Sequence, residues 1–299
     1  MHRLLFTIAI FVLLLGCQQG GELDLNALGE KARSGDAAAC RQMVELLGME
    51  ENSVSEKVYP VVVAIGQPMV APLLEAVGTA NREQRERVIA ALGTLRVESA
   101  VQPISQVLAD KSLKRRYIAA WALGEIGIDS GIEPLIQALG DSEELVRQYA
   151  TRSLIKLHRS AVEPLIDSLD NLGPVAAGGV IRALGDIGDK RALDALLQLV
   201  DGPNRIDVYL ALGKLRDSRA EAVLIAGLSD PDWQVRMNAA MALGTVGKER
   251  SIVSLQQTLE DDVLVVREWS ARSLSVISGK TVQFRDANGK LVEPYSVYH

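Results

Sequence analysis

The tripeptide Ala-Leu-Gly returns at 91–93, 122–124, 183–185, 211–213 and 242–244, with degenerate copies at Ser153-Leu154-Ile155 and Ser273-Leu274-Ser275. The central leucines, Leu92, Leu123, Leu154, Leu184, Leu212, Leu243 and Leu274, stand 31, 31, 30, 28, 31 and 31 residues apart. A sustained period of this length means one supersecondary unit per copy. The unit at 132–157, "IEPLIQALGDSEELVRQYATRSLIKL", predicts a first helix through Leu135, Ile136 and Leu139 and a second through Val146, Ala150, Leu154 and Leu157. Glycine or proline separates such blocks, and Pro103, Pro134 and Pro164 fall near the start of the first. One hairpin of this size cannot bury its own apolar face, so the copies must stack. Ala150 and Ser153 keep the second helix narrow enough for close approach of its neighbours.

Two polar positions repeat with the leucine. Seven residues before it stand Arg85, Arg116, Arg147, Ala177, Arg205, Arg236 and Arg267; thirteen before it stand Thr79, Asp110, Asp141, Asn171, Asp230 and Asp261, with no clean equivalent in the shortened unit. With "VR..AA.ALG.IG" following the aspartate, the pattern resembles the HEAT-repeat family, in particular the short HEAT-like repeats named after phycobilisome lyases. The resemblance covers about residues 60–278 and implies an all-α solenoid of stacked helical hairpins. It also implies that Asp110, Arg116, Asp141, Arg147, Asp230, Arg236, Asp261 and Arg267 form a structural ladder of charge-assisted hydrogen bonds between units. Asp230 is further expected to cap its helix, with Pro231 at the first helical position.

The ends and irregularities divide the chain further. Residues 23–59 read as a helical cap broken at Gly35, residues 60–278 as the array, and residues 279–299 as a tail. In the tail, Asn288-Gly289 between short alternating runs signals a β-hairpin, expected to cover the last unit's open face. Gly178 and Gly179 fall inside a second helix, and the following unit is short, so curvature or flexibility is expected to change around 172–206.

The first residues, "MHRLLFTIAIFVLLLGCQQG", combine a basic start, an apolar run from Leu4 to Leu15 and a small residue before Cys17. That run is too short to span a bilayer comfortably and reads as a signal peptide over residues 1–16. Leu14-Leu15-Gly16-Cys17 resembles the lipobox of bacterial lipoproteins, which implies cleavage before Cys17 and lipid attachment, including palmitate, at its thiol. Residues 17–22 would be a tether that holds the body close to the membrane. By the same resemblance Gln18 implies the periplasmic side of the outer membrane in a Gram-negative cell. Cys40 then stands as a lone internal cysteine, expected as a small buried residue.

Chemistry is sparse. The chain has 32 basic and 38 acidic residues, a net charge of −6, against the cationic surplus that nucleic-acid binding needs. His158 has no partner at ligand spacing, and no nucleophile elbow or phosphate loop occurs, so no catalytic residue, metal or cofactor is assigned. The Gly-x-x-Gly segments at 124–127, 185–188 and 244–247 recur at one point of the unit and read as helix ends.

What differs between copies is the outer side of the second helix. There the partner-binding candidates are Tyr117, Trp121, Tyr149, Arg152, Arg182, Trp233, Met237, Met241, Trp269 and Arg272, a composition suited to gripping a protein or peptide. In HEAT solenoids second helices line the concave face, so the expected function is a membrane-anchored scaffold. A lyase- or chaperone-like subunit acting on a chromophore-bearing protein, and a structural component of an envelope complex, are the alternatives.

Overall fold

The computed structural model describes residues 24–49 and 52–294, so Cys17 and the apolar run before it lie outside the described residues. The chain divides into two compact units, one up to Ala91 and one from Leu92 onward.

In the first unit, α1 (Leu25–Arg33) and α2 (Ala37–Leu46) form the expected hairpin around Gly35. Both begin at an aspartate whose carboxylate accepts backbone N–H groups: Asp24 from Ala27 at 3.0 Å, Asp36 from Ala38 and Ala39 at 2.8 and 3.0 Å. Cys40 is buried, its Sγ 3.5 Å from Ala32 O, and burial pushes its thiol pKa up. Helix α3 (Asn52–Ile65) runs through Pro60, so the expected border between residues 59 and 60 falls inside one helix. After α4 (Val70–Ala76), α5 (Arg82–Thr94) is tied to the end of α2. Gln84 Nε2 donates to Val44 O at 2.9 Å and Arg87 Nη1 to Leu47 O at 2.9 Å.

The second unit holds six hairpins. They are α6 (Val101–Ala109) with α7 (Tyr117–Ile126), α8 (Ile132–Ala138) with α9 (Glu144–Leu157), and α10 (Val162–Ser168) with α11 (Pro174–Ile187). Then follow α12 (Leu193–Leu197) with α13 (Arg205–Leu215), α14 (Glu221–Gly227) with α15 (Trp233–Val246), and α16 (Ser251–Gln257) with α17 (Leu264–Ser278). Each second helix packs on the next, from α7 through α17, while α6, α8 and α10, and again α14 and α16, touch in a parallel layer. This is an α-solenoid of stacked hairpins.

The recurrent tripeptide explains the stacking. Its leucine is the core residue: Leu123, Leu154, Leu184, Leu212 and Leu243 are fully buried. Its glycine receives the alanine of the next copy. A Cβ on Gly93 would lie 2.9 Å from Ala122 Cβ, and one on Gly185 or Gly213 would lie 2.8 Å from Ala211 or Ala242 Cβ. No real methyl fits at that separation, so successive second helices meet backbone to backbone. Where serine replaces the alanine, its hydroxyl bonds into the preceding second helix: Ser153 Oγ donates to Ala120 O at 2.8 Å, Ser273 Oγ to Ala240 O at 2.6 Å. The layer of second helices is therefore tightly spaced.

The expectation that glycine ends the second helix holds for one glycine of each Gly-x-x-Gly pair. Gly127 and Gly188 close α7 and α11 with left-handed φ values of 78° and 72°, whereas Gly124 and Gly185 lie in the inter-helix seam. Gly247 keeps φ −67°, its N–H still reaching Leu243 O at 2.8 Å. In another copy Arg216 takes the left-handed position, at φ 51° and ψ 40°, while His158 closes α9 at φ 51° and ψ −128°.

Gly178 and Gly179 also serve packing. A Cβ on Gly179 would sit 3.1 Å from Leu139 Cδ2, and one on Gly178 would sit 2.9 Å from Asn204 Nδ2, itself bonded to Pro174 O at 3.1 Å. The shortened unit loses its residues from the first turn of α13, which has 11 residues against 14 in α9, α11 and α15. At the C-terminus β1 (Phe284–Arg285) and β2 (Leu291–Val292) pair antiparallel across the Asn288-Gly289 turn. Phe284 is buried, and Val282 N–H donates to Ser275 Oγ of α17 at 2.9 Å.

Candidate protein-binding surface

Frame and surface separate once the arginines are followed. Arg236 Nη1 donates to Asp230 O and Pro231 O of its own loop at 2.9 and 3.2 Å, while Nε and Nη2 grip the Asp261 carboxylate of the next repeat at 2.8 and 3.0 Å. Arg116 grips Asp141 likewise, at 2.5 and 2.9 Å, and reaches Glu143 at 3.0 Å; Lys111 closes on the same aspartate. Arg205 comes within 3.4 Å of Asp230. Each receiving aspartate also accepts the backbone N–H two residues on, from Glu143, Asp232 and Val263 at 2.9, 2.7 and 2.9 Å. Burial disfavours ionisation of Asp141 and Asp261, but the arginine, the backbone N–H two residues on and, at Asp141, Lys111 together outweigh it and hold both carboxyls below the ordinary aspartate range. Arg267 has no further repeat ahead; it donates to Asp261 O, at 2.6 Å, and to Arg285 O of the tail, at 2.9 Å.

Two assignments of the ladder and one helix cap are corrected by this geometry. Arg147 keeps its own-loop bonds, to Asp141 O and Ser142 O at 2.7 and 3.2 Å, but among the described residues makes no rung to the next repeat, where Asn171 replaces the aspartate. Asp110 is not the own-loop acceptor of Arg116, which donates to Leu108 O and Leu113 O at 3.1 and 3.2 Å. The cause is a longer loop: α7 starts at Tyr117, whereas α9, α15 and α17 start three residues after their aspartates. Asp110 instead accepts from Ser112 N and Oγ at 2.9 and 2.6 Å. Nor does Asp230 cap α15. Asp232 is the N-cap, accepting from Gln234 N–H at 2.9 Å, and Pro231 precedes the first helical residue, Trp233, by two. A buried carboxylate that the sequence reading missed, Glu221, is saturated by Lys248 N–H, Arg250 Nε and Ser251 Oγ at 2.8, 2.6 and 2.6 Å, and links α14 to the start of α16.

The surface candidates lie on α7, α9, α11, α15 and α17. Tyr117 and Tyr149 meet with ring centroids 5.1 Å apart, and the Arg152 guanidinium lies 5.5 Å from the Tyr149 centroid. This makes a continuous aromatic and cationic strip across two repeats. Trp121 is partly committed to packing, since its Cζ3 lies 3.3 Å from a Cβ placed on Gly93. Arg182 stands 3.4 Å from Asp207, a partner the sequence did not suggest. Farther along, Trp233 is 42% exposed at the first turn of α15, with Met237 and Met241 half-buried behind it. Arg272 covers the Trp269 ring at 4.4 Å and bonds Glu268 at 3.0 Å, a cluster internal to α17.

Comparison with known proteins agrees with this architecture. A family model described as HEAT repeats matches residues 70–155, 132–208 and 201–275. No curated protein sequence matches the chain. The structure of Kap121p bound to Nup53p is similar at a TM-score of 0.58 and 15% identity, covering 87% of this chain and 34% of that one. The karyopherin Kap121p bound to the extreme C-terminus of the protein phosphatase Cdc14p gives 0.58 at 14% identity, over 87% and 35%. The complex of CpcE and CpcF of phycocyanin lyase from Nostoc sp. PCC7120 gives 0.36 at 22% identity, over 70% and 93%. At such identities the likeness to Kap121p establishes the fold alone, and here it coincides with the family match and with the repeated Ala-Leu-Gly joint: the chain belongs to the HEAT-repeat family.

Proposed function

We propose that this protein is a lipid-anchored scaffold of the cell envelope that holds a protein or peptide partner along the layer of second helices. The observation that carries the reading is the contrast between repeated and non-repeated positions. The Ala-Leu-Gly copies, the serines that replace the alanine at 153 and 273, and three of the arginines, Arg116, Arg205 and Arg236, are spent on the joint between repeats, whereas Tyr117, Tyr149, Arg152, Trp233, Met237 and Met241 vary from copy to copy on one layer. Aromatic, sulfur and arginine side chains on a rigid array lose little freedom when a partner docks, which favours capture without chemistry. The Kap121p structures, with Nup53p or the Cdc14p C-terminus bound, support use of this fold for holding protein segments. Anchoring rests on the lipobox-like Leu14-Leu15-Gly16-Cys17, and the periplasmic side of an outer membrane on Gln18. Among the described residues no single helix is long and apolar enough to cross a membrane.

The test is photo-crosslinking in cells, with the reactive group placed at Tyr149 or Met241 in the second layer and at Gln137 or Gln256 in the first. The same partner should be captured from both second-layer positions and from neither first-layer position. Trp233→Ala should reduce capture at Met241 without moving the thermal midpoint. Equal capture from Gln137 and Gln256 would sink the assignment of the face. For the anchor, metabolic labelling with an alkyne fatty acid should mark the wild type and be lost in Cys17→Ser, which should also leave the membrane fraction.

A further inference from the structure

The ladder is interrupted inside the second unit, and the interruption leaves a charged group positioned and unused. Arg147 Nη1 is held by Asp141 O and Ser142 O at 2.7 and 3.2 Å, matching the pair that holds Arg236, Asp230 O and Pro231 O at 2.9 and 3.2 Å. In Arg236 this anchoring presents Nε and Nη2 to the Asp261 carboxylate at 2.8 and 3.0 Å. In Arg147 that edge makes no hydrogen bond among the described residues. Its counterpart of Asp261 is Asn171, which is exposed and takes no part in the turn that Asp141, Asp230 and Asp261 each form with the backbone two residues on. Ala177 stands where the next arginine would be.

A cavity of about 450 Å³ is lined here by α9 and α11, and Arg147, Arg152 and Arg182 face it together with Glu144 and Asp186. Both carboxylates have partners: Glu144 accepts from Gln148 Nε2 at 2.8 Å, and Asp186 is bound by Lys214. Arg152 is stacked against Tyr149 and forms no ion pair among the described residues. The ion pair of Arg182 with Asp207 is long, 3.4 Å, and half-exposed on the arginine side.

We propose that this cavity binds a carboxylate, and that the partner on the second-helix face engages it with an aspartate or glutamate side chain flanked by an apolar residue. The inference rests on the reading of that face as protein-binding. A guanidinium already fixed by two carbonyls, with its Nε and Nη2 edge free, matches a carboxylate bidentately and has little freedom left to lose. The flanking apolar residue would lie on the strip of Tyr117 and Tyr149. The net charge of −6 gives an acidic ligand no long-range attraction, so recognition falls to the arginine trio at contact range.

The experiment uses the intact chain and a fluorescein-labelled, C-terminally amidated peptide, Glu-Leu-Glu-Leu-Glu, read by anisotropy. The peptide should bind at least about tenfold more tightly than its Gln-Leu-Gln-Leu-Gln counterpart, the change expected when a bidentate ion pair is lost. Asn171→Asp supplies the missing rung; it should raise the thermal midpoint and weaken the glutamate peptide by at least about tenfold. Arg182→Gln should weaken the peptide with the midpoint unmoved. Equal binding of the two peptides, or an Asn171→Asp chain that binds as well as wild type, overturns the proposal. So does inorganic phosphate that displaces the peptide at equal concentration, which would make this a small-anion site. Failure here beside second-layer-specific crosslinking at Tyr149 and Met241 would remove only the carboxylate site; failure of that crosslinking would remove the face itself.

Discussion

At the scale of the residue, the Arg116 and Asp141 pair is the most exacting group in the frame. Both side chains are almost wholly out of solvent, so each charge depends on the other. Asp141→Asn leaves the guanidinium of Arg116 buried with only Glu143 and backbone carbonyls, and should cost about 3–5 kcal/mol at neutral pH. The pH dependence follows from the depressed carboxyl. The aspartate's contribution is complete above the unfolded value near 4 and is lost as pH falls through the lower folded value. Urea denaturation should therefore show wild type and Asp141→Asn drawing together as pH is lowered from 7 to 3; a gap that stays constant would separate stability from this ionisation. The pattern of arginines and aspartates was legible in the sequence as a ladder. What was not legible was its reach: seven residues of loop before Tyr117, or an asparagine at 171, redirect an arginine without altering its position in the repeat.

At the scale of the element, the 31-residue period was enough to read a helical hairpin in each copy, because apolar spacing and chain breaks recur together. It did not distinguish glycines that stop a helix from glycines that let two helices touch, since both roles favour the same residue and lie three positions apart. Gly185→Ala separates them. A helix interior ordinarily gains about 1 kcal/mol from this change. Here the new methyl would sit 2.8 Å from both Cα and Cβ of Ala211, and overpacking of a well-filled contact costs about 1–3 kcal/mol. Thermal unfolding should show a lower midpoint, and a higher one would mean that the α11 and α13 seam yields. The helix starts were the least legible detail. Asp230, Pro231 and Asp232 each carry an N-terminal signal, and the competing pull of Arg205 on Asp230 leaves the cap to Asp232.

At the scale of the whole molecule, solenoid stability is a sum of units and of the joints between neighbours. The joints of the second unit are unequal. Around α11 the rung from Arg147 is absent among the described residues, Ala177 contributes none, and α13 is shortened to 11 residues. Native-state hydrogen exchange should therefore resolve two blocks of protection, α6 to α9 and α13 to α17, that meet at lower protection across residues 158–204. Asn171→Asp should bring the two blocks closer in free energy. A single uniform block would show that the Gly179 and Leu139 contact compensates fully for the lost rung. The variable second-helix surface was legible as composition but not as geometry, because which variable side chains meet depends on the offset between adjacent second helices, and that offset is set by the seam.

The tail bears on how such an array can grow. Arg267, the last arginine in the series, donates to Arg285 O of the hairpin, and buried Phe284 closes the same end. A unit duplicated inside the array brings a glycine for the neighbour ahead and an alanine for the neighbour behind, so it inherits both halves of the joint. A unit appended after Ser278 must first evict the hairpin and forgo its hydrogen bonds to Arg267 and Ser275. Evolutionary lengthening of this protein is thus channelled into internal duplication, with the C-terminal segment carried along unchanged as the terminus of whatever number of repeats precedes it.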